Sequence, residues 1–139
     1  GEDVSGLIRT QEIAGQASAC SAIGIVRTKL VDLQRKMGRE KSVIMDGRDI
    51  GTNVFPDAEY KFFITASAEE RARRRCEELK AGGQEAEPEQ ILAAIRKRDH
   101  DDSTRAINPL RKADDAVEID TTHMSIDEVT DYICREMNR

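Results

Sequence analysis

Residues 42–52 read SVIMDGRDIGT, and this stretch is the most informative part of the chain. A short apolar run, Val43–Met45, ends in Asp46, and Gly47 supplies the turn that stops it. Short apolar runs bounded by turn residues are typical of buried strands. In α/β proteins ligands bind at the carboxyl ends of parallel strands. Asp46 and Arg48 follow this run directly, so the stretch predicts a binding site.

The remaining chain alternates strand and helix patterns. Two more strands, Tyr60–Thr65 and Ala116–Asp120, are predicted from aromatic and β-branched residues. Apolar spacing predicts helices over Ile8–Met37, with a break near Gly15 and Gly24, and over Ser67–Lys80, Glu89–Asp102 and Ser125–Met137. Capping boxes at Ser67–Glu70 and Ser125–Glu128 start two of these helices, Pro88 opens the one between them, and Gly82–Gly83 ends the helix that begins at Ser67. Strands that alternate with helices predict an α/β fold with a parallel sheet and helices on both faces.

Composition excludes several classes of protein. The 139 residues suffice for one domain, and no apolar run approaches the ~18 residues of a membrane helix. The net charge of −5 argues against a general nucleic-acid surface. Cys20, Cys76 and Cys134 lack C-x-x-C spacing, so we expect reduced, intracellular thiols and neither a disulfide framework nor a metal site.

The arginines are clustered although the chain is acidic. Arg71, Arg74 and Arg75 have i, i+3 and i+4 spacing and share one helix face. They can bind an anion, or they can form a solvated face paired with neighbouring glutamates, and spacing alone favours the solvated face.

A second cluster combines Arg98, Asp102 and Arg105 at i, i+4 and i+7. Such a stripe can bind a phosphate or a sugar hydroxyl, with the aspartate orienting the guanidinium groups. It can also be a ladder of ion pairs worth a few tenths of a kcal/mol each. Asp99, Asp101 and Ser103–Thr104 suit a mobile loop better than a helix interior, so residues 98–108 are predicted to be a mobile loop, which favours binding.

Other candidates have structural alternatives as well. Asp46 can cap the turn that follows it, and Arg48 and Asp49 can form a salt bridge within that turn. Ser18 and Arg27 lie nine residues apart in a helical region, and by themselves they indicate nothing.

Taken in order, four blocks of the sequence resemble bacterial cytidylate kinases. The blocks are Ile8–Glu12, Asp46–Thr52 continued by Val54–Asp57, Thr65–Arg75, and Arg98–Ala106 with Pro109–Leu110. The resemblance spans essentially the whole chain, and the block from Asp46 to Asp57 is the most specific to this family.

The resemblance implies a P-loop NTPase-like fold of the nucleoside monophosphate kinase type, a parallel sheet with flanking helices. It also implies transfer of the γ-phosphoryl group of ATP to CMP or dCMP with Mg²⁺, in the cytoplasm, by an enzyme that is monomeric when full length. In the family, Ser18, Arg27 and Asp49 fall at the cytosine ring and Arg48 at the CMP phosphate. Arg98, Asp102 and Arg105 fall where the family holds the sugar and the phosphates, and Arg71, Arg74 and Arg75 fall near the lid. Asp46 falls at the position of the acid that contacts the magnesium ion through a water molecule.

One departure from the family concerns the phosphate loop. No Gly-x-x-x-x-Gly-Lys-Ser/Thr motif occurs in the 139 residues. We therefore expect a partial kinase domain, residues 1–139, that lacks the N-terminal strand, loop and helix and is a poor catalyst alone. Within it we expect a CMP-binding side at about residues 1–40, a core at 41–66 and 113–139, and lid-side helices with the arginine loop at about 67–112.

Three other interpretations stay open at this point. The chain can be a nucleotide-binding module without catalysis, in which the arginines bind CMP or another anion. It can be a helical interaction domain whose arginines form solvated ion pairs. It can also be a kinase of another nucleoside monophosphate, since only the resemblance argues for cytosine.

Overall fold

The computed structural model describes residues 3–5, 8 and 10–139, without the side chains at positions 11, 14 and 18. The chain forms two compact units, Gly1–Met45 and Asp46–Arg139. The helices in the described part of the chain are too short or too polar to cross a membrane.

The first unit contains two helices, α1 (Gln11–Ser21) and α2 (Gly24–Glu40). Thr10 caps α1, and its hydroxyl oxygen accepts a hydrogen bond from the backbone of Ile13 at 3.3 Å. α1 ends at Ser21, and α2 begins at Gly24. The predicted break between two helices is therefore confirmed.

The second unit holds a parallel pair of strands. Its elements are β1 (Phe62–Thr65), α3 (Ala68–Ala81), α4 (Pro88–Thr104), β2 (Val117–Asp120) and α5 (Ile126–Met137). Phe62 lies opposite Val117 and Thr65 opposite Asp120. Parallel strands need a long connection, and α3 and α4 provide it. This confirms the α/β class with a parallel sheet.

Capping residues fix the helix ends in this unit. Ser125 and Glu128 form a reciprocal capping box at the start of α5. The Ser67 hydroxyl accepts from Glu70 N at 3.1 Å, but Ser67 N donates to Thr122 at 3.0 Å instead of to Glu70. The predicted box at α3 is therefore half formed, because the Glu70 carboxylate bonds arginines of the same helix.

The predicted strand at Val43–Asp46 was wrong for the described structure. These residues carry no strand assignment, and the sheet that the structure describes has two strands, β1 and β2, paired with each other. Val43 and Ile44 are exposed. An extended segment becomes a strand only when a neighbouring backbone forms hydrogen bonds with it.

The helix predicted over Glu89–Asp102 and the mobile loop predicted for residues 98–108 overlap. The helix is confirmed, and the loop prediction was wrong over residues 98–104. Residues 98–104 form the last two turns of α4. The hydroxyls of Ser103 and Thr104 donate to the carbonyl of His100 at 3.0 and 2.7 Å. Leu110 N donates to the carbonyl of Asp102 at 2.7 Å. The polar side chains that disfavour a helix interior thus bond to the helix itself, and the chain after it folds back onto the last turn.

Candidate active site

The centre of the site is the carboxylate of Asp102, in the last turn of α4. Arg48 donates from Nε to Asp102 Oδ2 at 3.0 Å, and Arg98 Nε lies 3.8 Å from the same oxygen. Arg105 Nη1 lies 3.6 Å from Asp102 Oδ1. The Asp102 side chain is 10% exposed. Three guanidinium groups therefore surround one buried carboxylate. The arginine cluster, as we call it, consists of Arg48, Arg98, Asp102 and Arg105 together with Asp49, which is described next.

Asp49 is the second buried carboxylate of the arginine cluster, with a side chain that is 8% exposed. Its Oδ1 lies 3.6 Å from Arg105 Nη2, and its Oδ2 accepts from the Asn53 amide at 3.2 Å. Arg105 also donates from Nε to the carbonyl of Asn108 at 2.6 Å. The Arg105 guanidinium is thereby fixed between two carboxylates and a carbonyl.

A tight backbone turn places Arg48 and Asp49. A Cβ added at Gly47 would lie 2.8 Å from Ile50 Cγ1, so glycine permits the close approach after Asp46. Ile50–Val54 then forms one π-helical turn, in which the carbonyl of Ile50 accepts from Phe55 N at 2.7 Å. Val54 is buried, so the turn is anchored in the unit's core. Turns of this type are rare and occur often at functional sites.

The arginines of α3 have partners of their own. Arg71 forms a bidentate ion pair with Asp99 on α4. Arg74 donates to the carbonyl of Thr121 at 2.5 Å and to Glu70 at 2.8 Å, and Arg75 donates to Glu78 at 2.7 Å. For Arg74 and Arg75 these contacts correspond to the ion-pair alternative. Two hydrogen-bonded arginines, first Arg73 and then Arg74, outweigh the opposing desolvation and lower the pKa of Glu70 to about 2.

Ser18 and Arg27 belong to the first unit. Arg27 is buried on α2, and its Nη1 donates to the carbonyl of Ser21 at 3.4 Å. Ser18 lies within α1, and its side chain is outside the described part of the structure. Their predicted role at a cytosine ring stays a prediction.

Asp46 is exposed at the start of the turn that leads to Arg48. Among the described residues, no group of three or more His, Cys, Asp or Glu side chains could hold a metal ion. Mg²⁺ usually keeps several waters and takes one or two carboxylates together with substrate phosphates. A single exposed carboxylate fits that mode of binding.

Three contributors to the site were missed by sequence reasoning. Asn53 lies four positions after Asp49, the spacing of neighbours on one helical turn, and this signal could have found it. Asn108 has a positive φ of 50°, which asparagine tolerates better than most residues. Asp99 reads locally as a residue that disfavours a helix interior, and no local signal pairs it with Arg71, 28 positions away.

The arginine cluster can bind a multiply charged anion. It holds three guanidinium groups, on Arg48, Arg98 and Arg105, against the carboxylates of Asp49 and Asp102. Arg48 is 45% and Arg98 50% exposed, so both can turn toward a ligand. Because arginine forks match phosphate oxygens bidentately, phosphate is the anion that this arrangement fits best.

Comparison with known proteins identifies relatives along the entire chain. A profile of the family described as cytidylate kinase matches residues 1–139. A cytidylate kinase of Bacteroides fragilis is 50% identical over 139 residues, which cover 100% of this chain and 61% of the relative. One of Geobacter sulfurreducens is 56% identical over 142 residues, with 100% and 61% covered. One of Caldicellulosiruptor bescii is 53% identical over 129 residues, with 93% and 57% covered. The chain thus spans about three fifths of the length of these curated relatives.

Proposed function

The chain belongs to the cytidylate kinase family, and from that membership we propose that this protein transfers the γ-phosphoryl group of ATP to CMP or dCMP. The observation that carries the proposal is the arginine cluster, which unites the two blocks of the family motif. Arg48 and Asp49 come from one block and Arg98, Asp102 and Arg105 from the other. The finer fold that we propose is the P-loop NTPase-like fold of nucleoside monophosphate kinases.

Phosphoryl transfer suits such a cluster for a physical reason. The protein has little covalent chemistry to do, so positioning and charge neutralisation supply most of the acceleration. A phosphate monoester carries a charge of about −1.5 to −2 at pH 7. The net positive charge of the arginine cluster would offset part of it. We propose that Arg48, Arg98 and Arg105 bind the CMP phosphate, and that Asp102 orients them and accepts from a sugar hydroxyl.

Base recognition is proposed for Ser18, Arg27 and Asp49. A carboxylate accepts hydrogen bonds only, and cytosine offers an exocyclic amino group where uracil has a carbonyl. A polar site that bonds the amino group would leave uracil with an unsatisfied or repelled partner, which gives strong discrimination. The burial of Asp49 supports this role, because a shielded carboxylate discriminates better than a solvated one.

The remaining roles concern ATP. When Mg²⁺ is bound with ATP it neutralises phosphate charge, and we propose that Asp46 holds it through water. We propose that Arg71, Arg74 and Arg75 supply cations to the ATP phosphates, which requires each of them to exchange a present protein partner for a phosphate oxygen. We propose that the partners of this protein are small acidic nucleotides in the cytoplasm and not nucleic acids, and that the whole protein is a monomer.

Calorimetric titration of the chain with CMP, UMP, GMP and inorganic phosphate tests the proposal. We expect CMP to bind more tightly than the other three ligands. Equal affinity for the three nucleotides would reduce the site to a general anion site, and no binding at all would contradict the proposal directly.

An activity assay separates a kinase from a non-catalytic module. We expect CMP-dependent formation of ADP from MgATP by the whole protein, and only weak formation by residues 1–139 alone, which contain no phosphate-loop motif. Selective CMP binding without any ADP formation would favour the nucleotide-binding module. Arg96→Ala is a matched control in both assays, because Arg96 lies on α4 outside the arginine cluster and forms an ion pair with Glu69 on α3.

A further inference from the structure

A single guanidinium group connects three elements of the second unit. Arg71, on α3, donates from Nη1 and Nη2 to the two carboxylate oxygens of Asp99, on α4, at 2.9 and 2.5 Å. Its Nε donates to the carbonyl of Ala66 at 3.1 Å, just beyond the end of β1. The Arg71 side chain therefore connects the carboxyl end of β1 to both helices of the crossover.

The α4 end of this connection lies next to the arginine cluster. Asp99 directly follows Arg98 and precedes Asp102 by three positions, so it lies one helical turn before the centre of the cluster. The hydrogen bond from Arg71 is the main cause that lowers the pKa of Asp99, against the opposing effect of burial. The charges of Arg71, Arg48 and Arg98 lower it further. Asp99 is thus a counter-charge to two arginines of the cluster as well as the partner of Arg71.

A second ion pair between the same two helices lacks these features. Arg96 Nη2 lies 2.5 Å from Glu69 Oε1, with side chains that are 60% and 61% exposed. This pair also joins α3 to α4, but through one hydrogen bond and in solvent, where such pairs contribute little. It is therefore a matched control for the loss of an inter-helix ion pair.

We propose that Asp99 is a positioning residue for the nucleotide phosphate. By holding Arg71, it fixes the last two turns of α4, which carry Arg98 and Asp102, against the carboxyl end of β1. The inference rests on the proposed function, since it names a residue that orders the same phosphate-binding site.

The geometry of the pair explains why this fixation is effective. Two parallel N–H···O bonds from a planar guanidinium set both the distance and the rotation between the helices, which a single ammonium contact cannot do. Binding groups act well only when their supports hold them within about 0.5 Å of the productive geometry. A small rotation of α4 would displace Arg98 and Asp102 together.

The test compares Asp99→Asn with the control Glu69→Gln, using calorimetric titration with CMP and with cytidine. Asp99→Asn should weaken CMP binding about tenfold, the low end of what losing an orienting partner costs in metal sites. It should weaken cytidine binding by a clearly smaller factor, because cytidine has the sugar that Asp102 is proposed to contact but lacks the phosphate. Glu69→Gln should change neither affinity. Arg71→Lys should reproduce the effect of Asp99→Asn, since lysine cannot form the bidentate pair.

The outcomes are distinct. If Asp99→Asn binds CMP as the wild type does, or weakens cytidine binding equally, the positioning role is overturned. If Asp99→Asn does not fold, Arg71→Lys decides by the same comparison of CMP with cytidine. If the wild-type chain binds no CMP, the proposed function fails and this inference fails with it. If the wild type binds CMP and the variants bind it with the same affinity, only this inference is refuted.

Discussion

Arg105 is the arginine whose loss should weaken nucleotide binding most. Its side chain is 18% exposed, less than that of Arg48 or Arg98, and it contacts both buried carboxylates of the arginine cluster. The change Arg105→Met keeps an unbranched stem and removes the guanidinium group. The substitution therefore deletes one charge and the hydrogen bond to Asn108 without opening a large cavity.

The size of the effect follows from the distances. Each carboxylate lies 3.6 Å from an Arg105 nitrogen, which corresponds to about 4–5 kcal/mol of attraction at an effective dielectric constant of about 20. Desolvation offsets most of it, and removing one partner of a buried pair costs about 3–5 kcal/mol. Asp102 keeps Arg48 at 3.0 Å and Asp49 keeps the Asn53 amide at 3.2 Å. We therefore expect a loss of about 2 kcal/mol in the free energy of unfolding.

The effect on binding is estimated separately. A hydrogen bond to a charged group contributes about 1.5–3 kcal/mol, so the Kd for CMP should rise by about 10- to 150-fold. Calorimetry with CMP gives the Kd, urea denaturation gives the stability, and Arg96→Ala is the control for both. If Arg105→Met lowers stability as expected but binds CMP within about twofold of the wild type, the reasoning is refuted and Arg105 has a structural role only.

Three further predictions concern other parts of the structure. Asp49→Asn should narrow the preference for CMP over UMP, because an amide can also donate to the carbonyl of uracil; an unchanged ratio of the two Kd values would contradict the role in base recognition. Gly83→Ala should lower the free energy of unfolding by about 1–2 kcal/mol, because Gly83 has a φ of 72°. The control Gly82→Ala, at a φ of −81°, should lower it less. Equal midpoints of urea denaturation for the two variants would contradict the prediction. The pKa of Glu70 is lowered from 4.5 to about 2, mainly by the hydrogen bond from Arg73. The folded state therefore binds fewer protons than the unfolded state between these two pH values. The stability that the ionised Glu70 contributes is fully present above pH 4.5 and is lost as the pH falls to about 2. Glu70→Gln should flatten the pH dependence of unfolding in that window, and a wild-type slope in the variant would argue against it.

Local sequence signals predicted the helix boundaries well. Ser67 and Ser125 start helices, Pro88 begins α4, and Gly83 follows the end of α3 with a positive φ. Each of these signals acts within about four residues of the chain end that it fixes. A sequence contains that information directly, so no tertiary contact has to be guessed.

The errors arose where structure depends on distant partners. Val43–Asp46 has the composition of a strand, but pairing decides whether a strand forms. The loop prediction for residues 98–108 rested on the poor helix propensity of its first residues, yet residues 98–104 are helical, as the predicted helix over Glu89–Asp102 indicated for most of them. Asp102 in this stretch bonds to Arg48, which is 54 positions away, and such contacts override weak local preferences.

The site could be predicted in part. The spacing of Arg98, Asp102 and Arg105 indicated a shared stripe, and both arginines do lie within 3.8 Å of Asp102. Spacing could not bring Arg48 and Asp49 to that stripe, and only the resemblance joined the two blocks. The bidentate pair of Arg71 and Asp99 could not be predicted from spacing either, because it depends on how α3 and α4 pack against each other.

The differing exposures of the arginines suggest how the site divides its work. Arg105 lies between two buried carboxylates and is mostly buried, so it is the floor of the cluster, whereas Arg48 and Arg98 are about half exposed at its outer edge, the rim. A fixed cation at the floor needs little reorganisation when a phosphate arrives, which is the condition under which electrostatic stabilisation is most effective. The rim arginines can turn toward the ligand, because Asp102 binds Arg48 by one hydrogen bond and Arg98 only at 3.8 Å. In the proposed function, the two buried aspartates would keep three like charges together before the phosphate binds, while the cluster keeps a net positive charge for it.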